Sequence, residues 1–192
     1  MSRVLIIIPA RSGSKRLKNK NILPIKNLPM FVYVAKEASK SRFKPEIYVS
    51  SESKKILNIC KKFNIKFLKR PSKLSGDNIE KQEVISFTFK KLRKKLQPKI
   101  IVSLQPNSPE FKSNHLDKAI VFFLKKAFPK KEVKEVVSIG KNNLQNGAFR
   151  IMTPKTVTKK TLSTNIGVFK TDYMDIHNLN EYKKAKKRIE RN

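Results

Sequence analysis

Short unbroken apolar runs alternate along this chain with longer stretches in which apolar residues recur every three or four positions. Val4–Ile8 is the first run, closed by Pro9, and such a segment predicts a strand buried on both faces. Phe31, Val34, Ala35 and Ala38 then fall on one helical face. Glu46–Ser51 predicts the next strand, with Ile56, Cys60 and Phe63 as the stripe of the helix behind it. Ile65–Leu68 predicts a short strand, and Ile85, Phe89, Leu92 and Leu96 mark the helix that follows. Lys99–Pro106 repeats the buried-strand pattern. Ser113 reads as an N-cap, with Asp117 in the first turn of a helix carrying Leu116, Ala119, Ile120, Phe123, Leu124 and Ala127. Val136–Ile139, "GAFRIM" and "NIGVFK" predict further strands, the last two joined by the turn-and-lysine stretch Thr153–Leu162. Tyr182, Ala185 and Ile189 mark a closing helix. Strands alternating with helices predict a three-layer α/β fold with a mainly parallel sheet. The 192 residues suit a single domain spanning 1–192.

Charge changes the picture less than its size suggests. Lys and Arg number 45 against 14 Asp and Glu, a formal +31. Such a surface attracts polyanions at low salt. Yet the lysines spread over nearly every segment, including "KKLRKK" and "KKAKKR" on expected helices, and the aromatics sit at core spacing. Lysine also far outnumbers arginine, the residue whose fork reads base edges. Solvated lysine-rich faces are therefore expected, with no specific nucleic-acid partner. Cys60 is the only cysteine, so there is no disulfide framework and no thiolate metal site, and its place on an apolar stripe makes it a core residue. No apolar run approaches the roughly 20 residues that span a bilayer, and Arg11 interrupts any secretory apolar region. The expectation is a soluble cytoplasmic protein without a membrane span.

In parallel α/β sheets, ligands sit outside the carboxyl ends of the strands. That rule selects Pro9–Asn21, Ser50–Glu52, Arg70–Asn78 and Gln105–Pro109. The first of these, "PARSGSKRLKNKN", has the parts of a polyphosphate loop. Gly13 between Ser12 and Ser14 lets backbone N–H groups turn toward an anion. Arg11 offers two parallel bonds to phosphate oxygens, while Lys15 and Lys20 supply point charge. Neither GxxxxGK[ST] nor GxGxxG spacing is present. On residue types alone, a phosphate loop and a solvated connection both stay open.

The stretch "IIPARSGSKRLKNKNI" closely resembles the N-terminal motif IPARxGSKxxxxKNI of the acylneuraminate (CMP-sialic acid) cytidylyltransferases. "YVSSES" resembles that family's VSTDDxxI strand end, and "KRPSKLSGDN" its RPxxLAxDxA segment. "VSLQPNSPEF" is similar to LLQPTSPLR, "NGAFRI" to NGAxYI, and "YMDIHNLNEYKKA" to IDIDTExDLxxA, all in the family's order. The resemblance implies a Rossmann-like nucleotidyltransferase fold. It also implies an enzyme that uses CTP and Mg²⁺ to place CMP on the anomeric hydroxyl of a nonulosonic acid, releasing pyrophosphate. In that reading Ala10, Arg11, Ser14, Lys15, Lys20, Asn21, Arg70 and Asp77 bind the nucleotide, with Arg11, Lys15 and Asp175 catalytic. Gln105, Ser108 and Asn146 bind the sugar acid, and Asp175 holds the metal.

The chain departs from the family where the acceptor would sit. The family's metal-binding DID element reads Asp175-Ile176-His177, and a histidine nitrogen suits Mn²⁺ or Zn²⁺ better than Mg²⁺. His177 is either a ligand or a polar residue at the cleft's lip, and Asp172 is a further candidate ligand. His115, at a helix start, is expected at the surface. Only "IGKNNLQ" separates Ser138 from Asn146, where the family carries a dimer arm, so a homodimer would lack its usual means of assembly. Lys141 is the one basic residue left in that gap that could meet a carboxylate, and it reads more readily as a solvated turn lysine. PTSPLR becomes "PNSPEF", Glu52 stands for one acid of VSTDD, and Arg150 replaces a tyrosine. Three other readings stay open: a CTP-binding relative without turnover, a nucleotidyltransferase for a different acceptor, and a basic nucleic-acid-binding module.

Overall fold

The protein's structure is a computed structural model that describes residues 3–128, 132–141, 143–159 and 163–191. Residues 160–162 of the expected lysine-rich connection and Asn142 lie outside that set. The strands are β1 (Val4–Pro9), β2 (Pro24–Ile25), β3 (Leu28–Pro29), β4 (Glu46–Ser51), β5 (Phe67–Lys69), β6 (Ile100–Leu104), β7 (Glu135–Ile139), β8 (Gln145–Met152) and β9 (Ile166–Lys170). The helices are α1 (Met30–Ser39), α2 (Lys54–Lys62), α3 (Lys81–Leu96), α4 (Ser113–Ala127) and α5 (Leu179–Arg191). Seven strands form one sheet in the order β5-β4-β1-β6-β8-β7-β9, and β2 pairs with β3 in a separate hairpin.

The sheet is parallel except at β8, which runs against both β6 and β7. The cause is local. Gly140 to Leu144 close a tight turn in which Gly140 N–H donates to the Leu144 carbonyl at 2.8 Å, with Asn143 at φ 61°. A connection that short can only return the chain antiparallel. The parallel strands lie at the centre, as the continuous apolar runs require. Val4, Ile6 and Ile8 pack toward Phe31 of α1, Ile56 of α2 and Phe123 of α4, while Leu5 and Ile7 pack toward Ile85, Phe89 and Leu92 of α3. A strand with helices on both faces has no solvent-facing position, and so carries no alternation.

Most expected elements are present, with differences at their ends. The short strand expected at Ile65–Leu68 pairs only at Phe67–Lys69. Ser113 is not the cap of α4 but its first residue. Lys112 holds the cap position, and Ser113 gives its N–H and hydroxyl to Glu37 Oε1 at 3.1 and 3.2 Å. Asp117 turns away from the helix to accept from Ser41 Oγ at 2.5 Å and Arg42 N–H at 3.1 Å, which ties α4 to the end of α1. His115 is half-buried rather than free at the surface, stacked on Tyr173 with Nδ1 2.6 Å from its hydroxyl. Cys60 is fully buried, and burial pushes its thiol up to about 12. Periodicity gave no sign of the β2–β3 hairpin, which turns through Lys26 at φ 43° and Asn27 at φ 60°. It exists to be covered: Ile25 and Met30 pack with Ile176, Tyr182, Ala185 and Ile189 in a small second core beneath α5. Among the described residues no helix is long and apolar enough to cross a membrane.

Candidate active site

The four segments picked out by the strand-end rule converge. A cleft of about 270 Å³ opens at the carboxyl edge of β1 and is lined by Arg11, Ser14, Lys20, Asn21, Arg70 and Asp77, with Lys81 and Gln105 at its far side. The loop after β1 is held from below by one carboxylate. Glu52, just past β4, accepts from Ser12 N–H and Ser12 Oγ through Oε1, both at 3.0 Å. Its Oε2 accepts from Arg70 Nη2 at 2.8 Å and Ser75 Oγ at 3.0 Å. Burial pushes the Glu52 carboxyl up, but the Ser12 hydrogen bond, the Arg70 charge and Ser75 outweigh it and hold the group below the usual glutamate range. Arg70 is 3% exposed and also donates to the Ser50 carbonyl at 2.7 Å and to Ser75 Oγ at 3.0 Å. Its guanidinium is thus committed to the protein, where it ties three loops together.

Above this base lie the loop's cations. Asp77 accepts from Arg11 Nη1 at 3.0 Å and pairs with Lys15 Nζ at 2.7 Å. The Lys15 hydrogen bond, and then that of Arg11, hold the exposed Asp77 carboxyl below its usual range. Lys20 is half-buried, and burial together with Arg11 and Arg16 draws its pKa down while Asp175 draws it up. Asn21 donates Nδ2 to the Arg11 carbonyl at 2.9 Å, and its Oδ1 is buried with no partner. An acceptor left so is costly unless a ligand donor meets it. Ser14 lines the cleft. Ala10 lies beneath it, fully buried, with its N–H on the Ser50 carbonyl. Gly13 shows no left-handed φ, and a Cβ there would meet nothing within 4 Å, so the freedom expected of it is not used in this conformation.

At the far side stands Asp175. Burial raises its pKa, opposed by the short hydrogen bond from Ser108 Oγ and by the charges of His177, Lys81 and Lys20. Its position is fixed by Asn107, which exchanges hydrogen bonds with Ile176: Asn107 Nδ2 to the Ile176 carbonyl at 3.0 Å and Ile176 N–H to the Asn107 carbonyl at 2.9 Å. Gly147, at φ 68°, leaves room for the carboxylate, since a Cβ there would come within 2.8 Å of Asp175 Oδ2. Gln105 belongs to the same corner. Asn146 spends its amide on the fold, with Oδ1 accepting from Ser138 Oγ at 2.7 Å and Nδ2 donating to Thr171 Oγ1 at 2.6 Å. His177 is exposed, and its backbone N–H donates to Glu181 at 2.5 Å. Asp172 does not join Asp175. It is exposed, pairs with Lys141 at 2.9 Å, and borders a different depression beside His115 and Arg188. Lys141 is the solvated turn residue expected.

Two residues of this region escaped the sequence reading. Lys81 opens α3 and lines both the main cleft and a second one of about 250 Å³. Its side chain is exposed overall and lines the concavity. Burial pulls its pKa down, Asp175 pulls it up and Arg150 pulls it down. Asn107 was quoted only as part of a motif, although it sets where Asp175 stands. In a chain with 45 lysines and arginines, nothing distinguishes Lys81 before the fold is known.

Among the described residues no three His, Cys, Asp or Glu side chains cluster as a metal site. A single half-buried carboxylate, Asp175, beside a polyphosphate cleft still fits Mg²⁺, which keeps waters and takes one or two carboxylates plus substrate phosphates.

The sequence from 5 to 174 matches the family model described as Cytidylyltransferase. The chain is 36% identical over 94 residues to a pseudaminic acid cytidylyltransferase and UDP-2,4-diacetamido-2,4,6-trideoxy-beta-L-altropyranose hydrolase of Helicobacter pylori, covering 48% of this chain and 18% of that one. It is 31% identical over 122 residues to an N-acylneuraminate cytidylyltransferase of Escherichia coli O18:K1:H7, covering 64% of this chain and 28% of the relative. The chain thus matches less than a third of either relative's length. A solved CMP:2-keto-3-deoxy-manno-octonic acid synthetase complexed with CTP superposes with a TM-score of 0.82 at 14% identity, covering 99% of both chains, a likeness of fold.

Proposed function

Because the chain belongs to the cytidylyltransferase family, we propose that it transfers CMP from CTP to the anomeric hydroxyl of a nonulosonic acid, sialic acid or a relative, with release of pyrophosphate. The observation that carries this reading is the ion-pair cluster at the end of β1, where one carboxylate, Asp77, bridges Arg11 and Lys15 at the mouth of a cleft that Lys20 also lines. A triphosphate offers the same two cations more charge, and displaces a surface carboxylate that holds them only weakly.

The chemistry follows from charge and position. The acceptor oxygen forms a bond to the α-phosphorus as the bond to the β-phosphate bridging oxygen breaks, and the hydroxyl proton leaves with solvent. Such a step needs alignment and neutralisation more than covalent help. Arg11, Ser14 and Lys15 hold the β- and γ-phosphates, so that charge building on the departing pyrophosphate meets fixed cations. Lys20 acts from the cleft wall, and Asn21 Oδ1 takes a donor from the nucleotide. Arg70 and Glu52 keep these loops in register, and the Asp77 segment closes beside the base. Gln105 and Ser108 face the acceptor side, with Asn146 bracing it. Asp175, and His177 if Mn²⁺ replaces Mg²⁺, would hold the metal, which when bound supplies further neutralisation of phosphate charge. We place the reaction in the cytoplasm, where CTP is.

Pyrophosphate release with CTP, Mg²⁺ and a panel of nonulosonic acids tests the proposal, and CTP should raise the melting temperature as any native-state ligand does. Lys15→Ala removes an exposed side chain. It is expected to leave the melting temperature unchanged and to cut pyrophosphate release at least about a hundredfold. Unchanged turnover would remove Lys15 from the mechanism. Absence of a melting shift with CTP would remove the nucleotide reading itself.

A further inference from the structure

Asp175 stands on residues 171–177, which join β9 to α5 and belong to neither a helix nor a strand. A carboxylate on such a segment owes its place to whatever holds the backbone on either side. Here the holder is the loop after β6. Ser108, Pro109, Glu110 and Phe111 form a tight turn closed by Phe111 N–H on the Ser108 carbonyl at 3.1 Å, with proline at the position that favours it. The loop and the Asp175 segment then meet residue by residue in opposite directions. Tyr173 Oη accepts from Lys112 N–H at 3.1 Å, and Met174 N–H donates to Glu110 Oε2 at 2.8 Å. Asp175 accepts from Ser108, and Ile176 is held by Asn107. The backbone N–H groups of both neighbours of Asp175 are thus taken by this loop. The Glu110 side chain is only 13% exposed, and its Oε1 accepts from Arg188 Nη1 at 3.3 Å. Arg188 is itself 58% exposed, so that ion pair adds little. The bond to Met174 is what Glu110 contributes.

We propose that Glu110 is a positioning residue for Asp175, and that with Asn107 it fixes this carboxylate to serve a metal ion without a second carboxylate beside it. This rests on the transferase reading above, in which Asp175 meets the metal. Three departures from the motifs that the chain resembles fall together here: Asn107 for a threonine, Glu110 for a leucine and His177 for an aspartate. The last leaves Asp175 as the one carboxylate of its element. The first two grip the backbone on either side of it, and a leucine would offer Met174 N–H no acceptor. A divalent ion that demands near-octahedral geometry binds a fixed oxygen more tightly than a loose one, because less freedom is lost when it arrives.

The test follows Mn²⁺ binding to the full chain, held in excess over CTP, through the ion's effect on water proton relaxation. The Mg²⁺ dependence of pyrophosphate release is measured beside it. Glu110→Ala removes the acceptor for Met174. Glu110→Gln keeps an amide oxygen there and gives up the charge, while Arg188→Ala removes the ion pair alone. Glu110→Ala is expected to weaken Mn²⁺ about tenfold or more and to raise the Mg²⁺ needed for half-maximal release by a similar factor. Its affinity for CTP without divalent ions should stay within about twofold. Glu110→Gln and Arg188→Ala should each hold Mn²⁺ within about threefold of the unaltered chain. If the alanine variant does not fold, Glu110→Leu carries the same expectation. A folded variant with lowered melting temperature but unchanged Mn²⁺ affinity would make Glu110 merely structural and overturn the proposal. So would an equal loss in Glu110→Gln, a matching loss of CTP affinity, or Mn²⁺ bound as tightly by Asp175→Asn. If no acceptor releases pyrophosphate, the relaxation measurement still separates the two failures. Mn²⁺ that Glu110→Ala weakens upholds the positioning role while the transferase reading falls, and no Mn²⁺ binding by the unaltered chain overturns the role itself.

Discussion

At Gly147 one added carbon does two kinds of damage. The backbone sits at φ 68°, where an L side chain is strained by roughly 1–2 kcal/mol, and the new Cβ would come within 2.8 Å of Asp175 Oδ2. Gly147→Ala is therefore expected to lower stability by about that amount and to cut pyrophosphate release at least about tenfold, because the carboxylate must move. Thermal melts and the release assay read the two effects separately. Gly13→Ala is the contrast: its Cβ enters open space without a left-handed φ, so the melting temperature should hold. Loss of CTP affinity there would report close approach of the ligand rather than the fold. The sequence drew attention to Gly13, because serines and cations crowd it, and reached Gly147 only through a resemblance. A glycine's neighbours in sequence do not reveal which distant carboxylate needs its empty space.

At the scale of elements, Glu52 shows how loops after different strands become one site. It joins the β1 loop through Ser12 to the segment after β5 through Arg70 and Ser75. Glu52→Gln leaves the Arg70 charge, 3% exposed, without its counter-ion, and should cost about 3 kcal/mol. The pH dependence has a definite sign. The folded-state pKa of Glu52 lies below the usual range, so the pair's contribution is complete above the unfolded glutamate value of about 4.3. It is lost as pH falls through the lower, folded value. Melting curves of the two proteins should therefore converge as pH drops below about 4, and a gap that stays constant would show that ionisation of Glu52 is not what stabilises the native loops. The buried strands and amphipathic helices were legible because burial on two faces or one writes itself into apolar spacing. The β2–β3 hairpin was not, since two-residue strands leave no period to detect. Nor was the true start of α4, because Ser113 and Asp117 look like capping residues and are instead claimed by Glu37 and Ser41. Tertiary partners override local preference at such ends.

For the whole molecule, the +31 charge has to be separated from the few cations that work together. Arg11, Lys15 and Lys20 gather at one cleft, whereas Lys183, Lys184 and Lys187 on α5, like Lys90, Lys91 and Lys94 on α3, point into solvent and share no site. Exposed charges farther apart than about 8 Å are screened from one another at physiological salt. A diffuse surface of this kind binds polyanions only by releasing counter-ions, so its affinity for duplex DNA should fall roughly a thousandfold or more between 50 and 200 mM salt. The fall should be the same for two unrelated sequences. On the proposed function CTP meets converging groups on partly buried walls, and it should keep most of its melting shift over that range. Measuring both ligands across one salt series decides the matter. DNA binding that survives salt, or that prefers one sequence tenfold, would give the lysines a partner of their own. A CTP shift that vanishes in step with DNA binding would reduce the β1 loop to one more stretch of that surface.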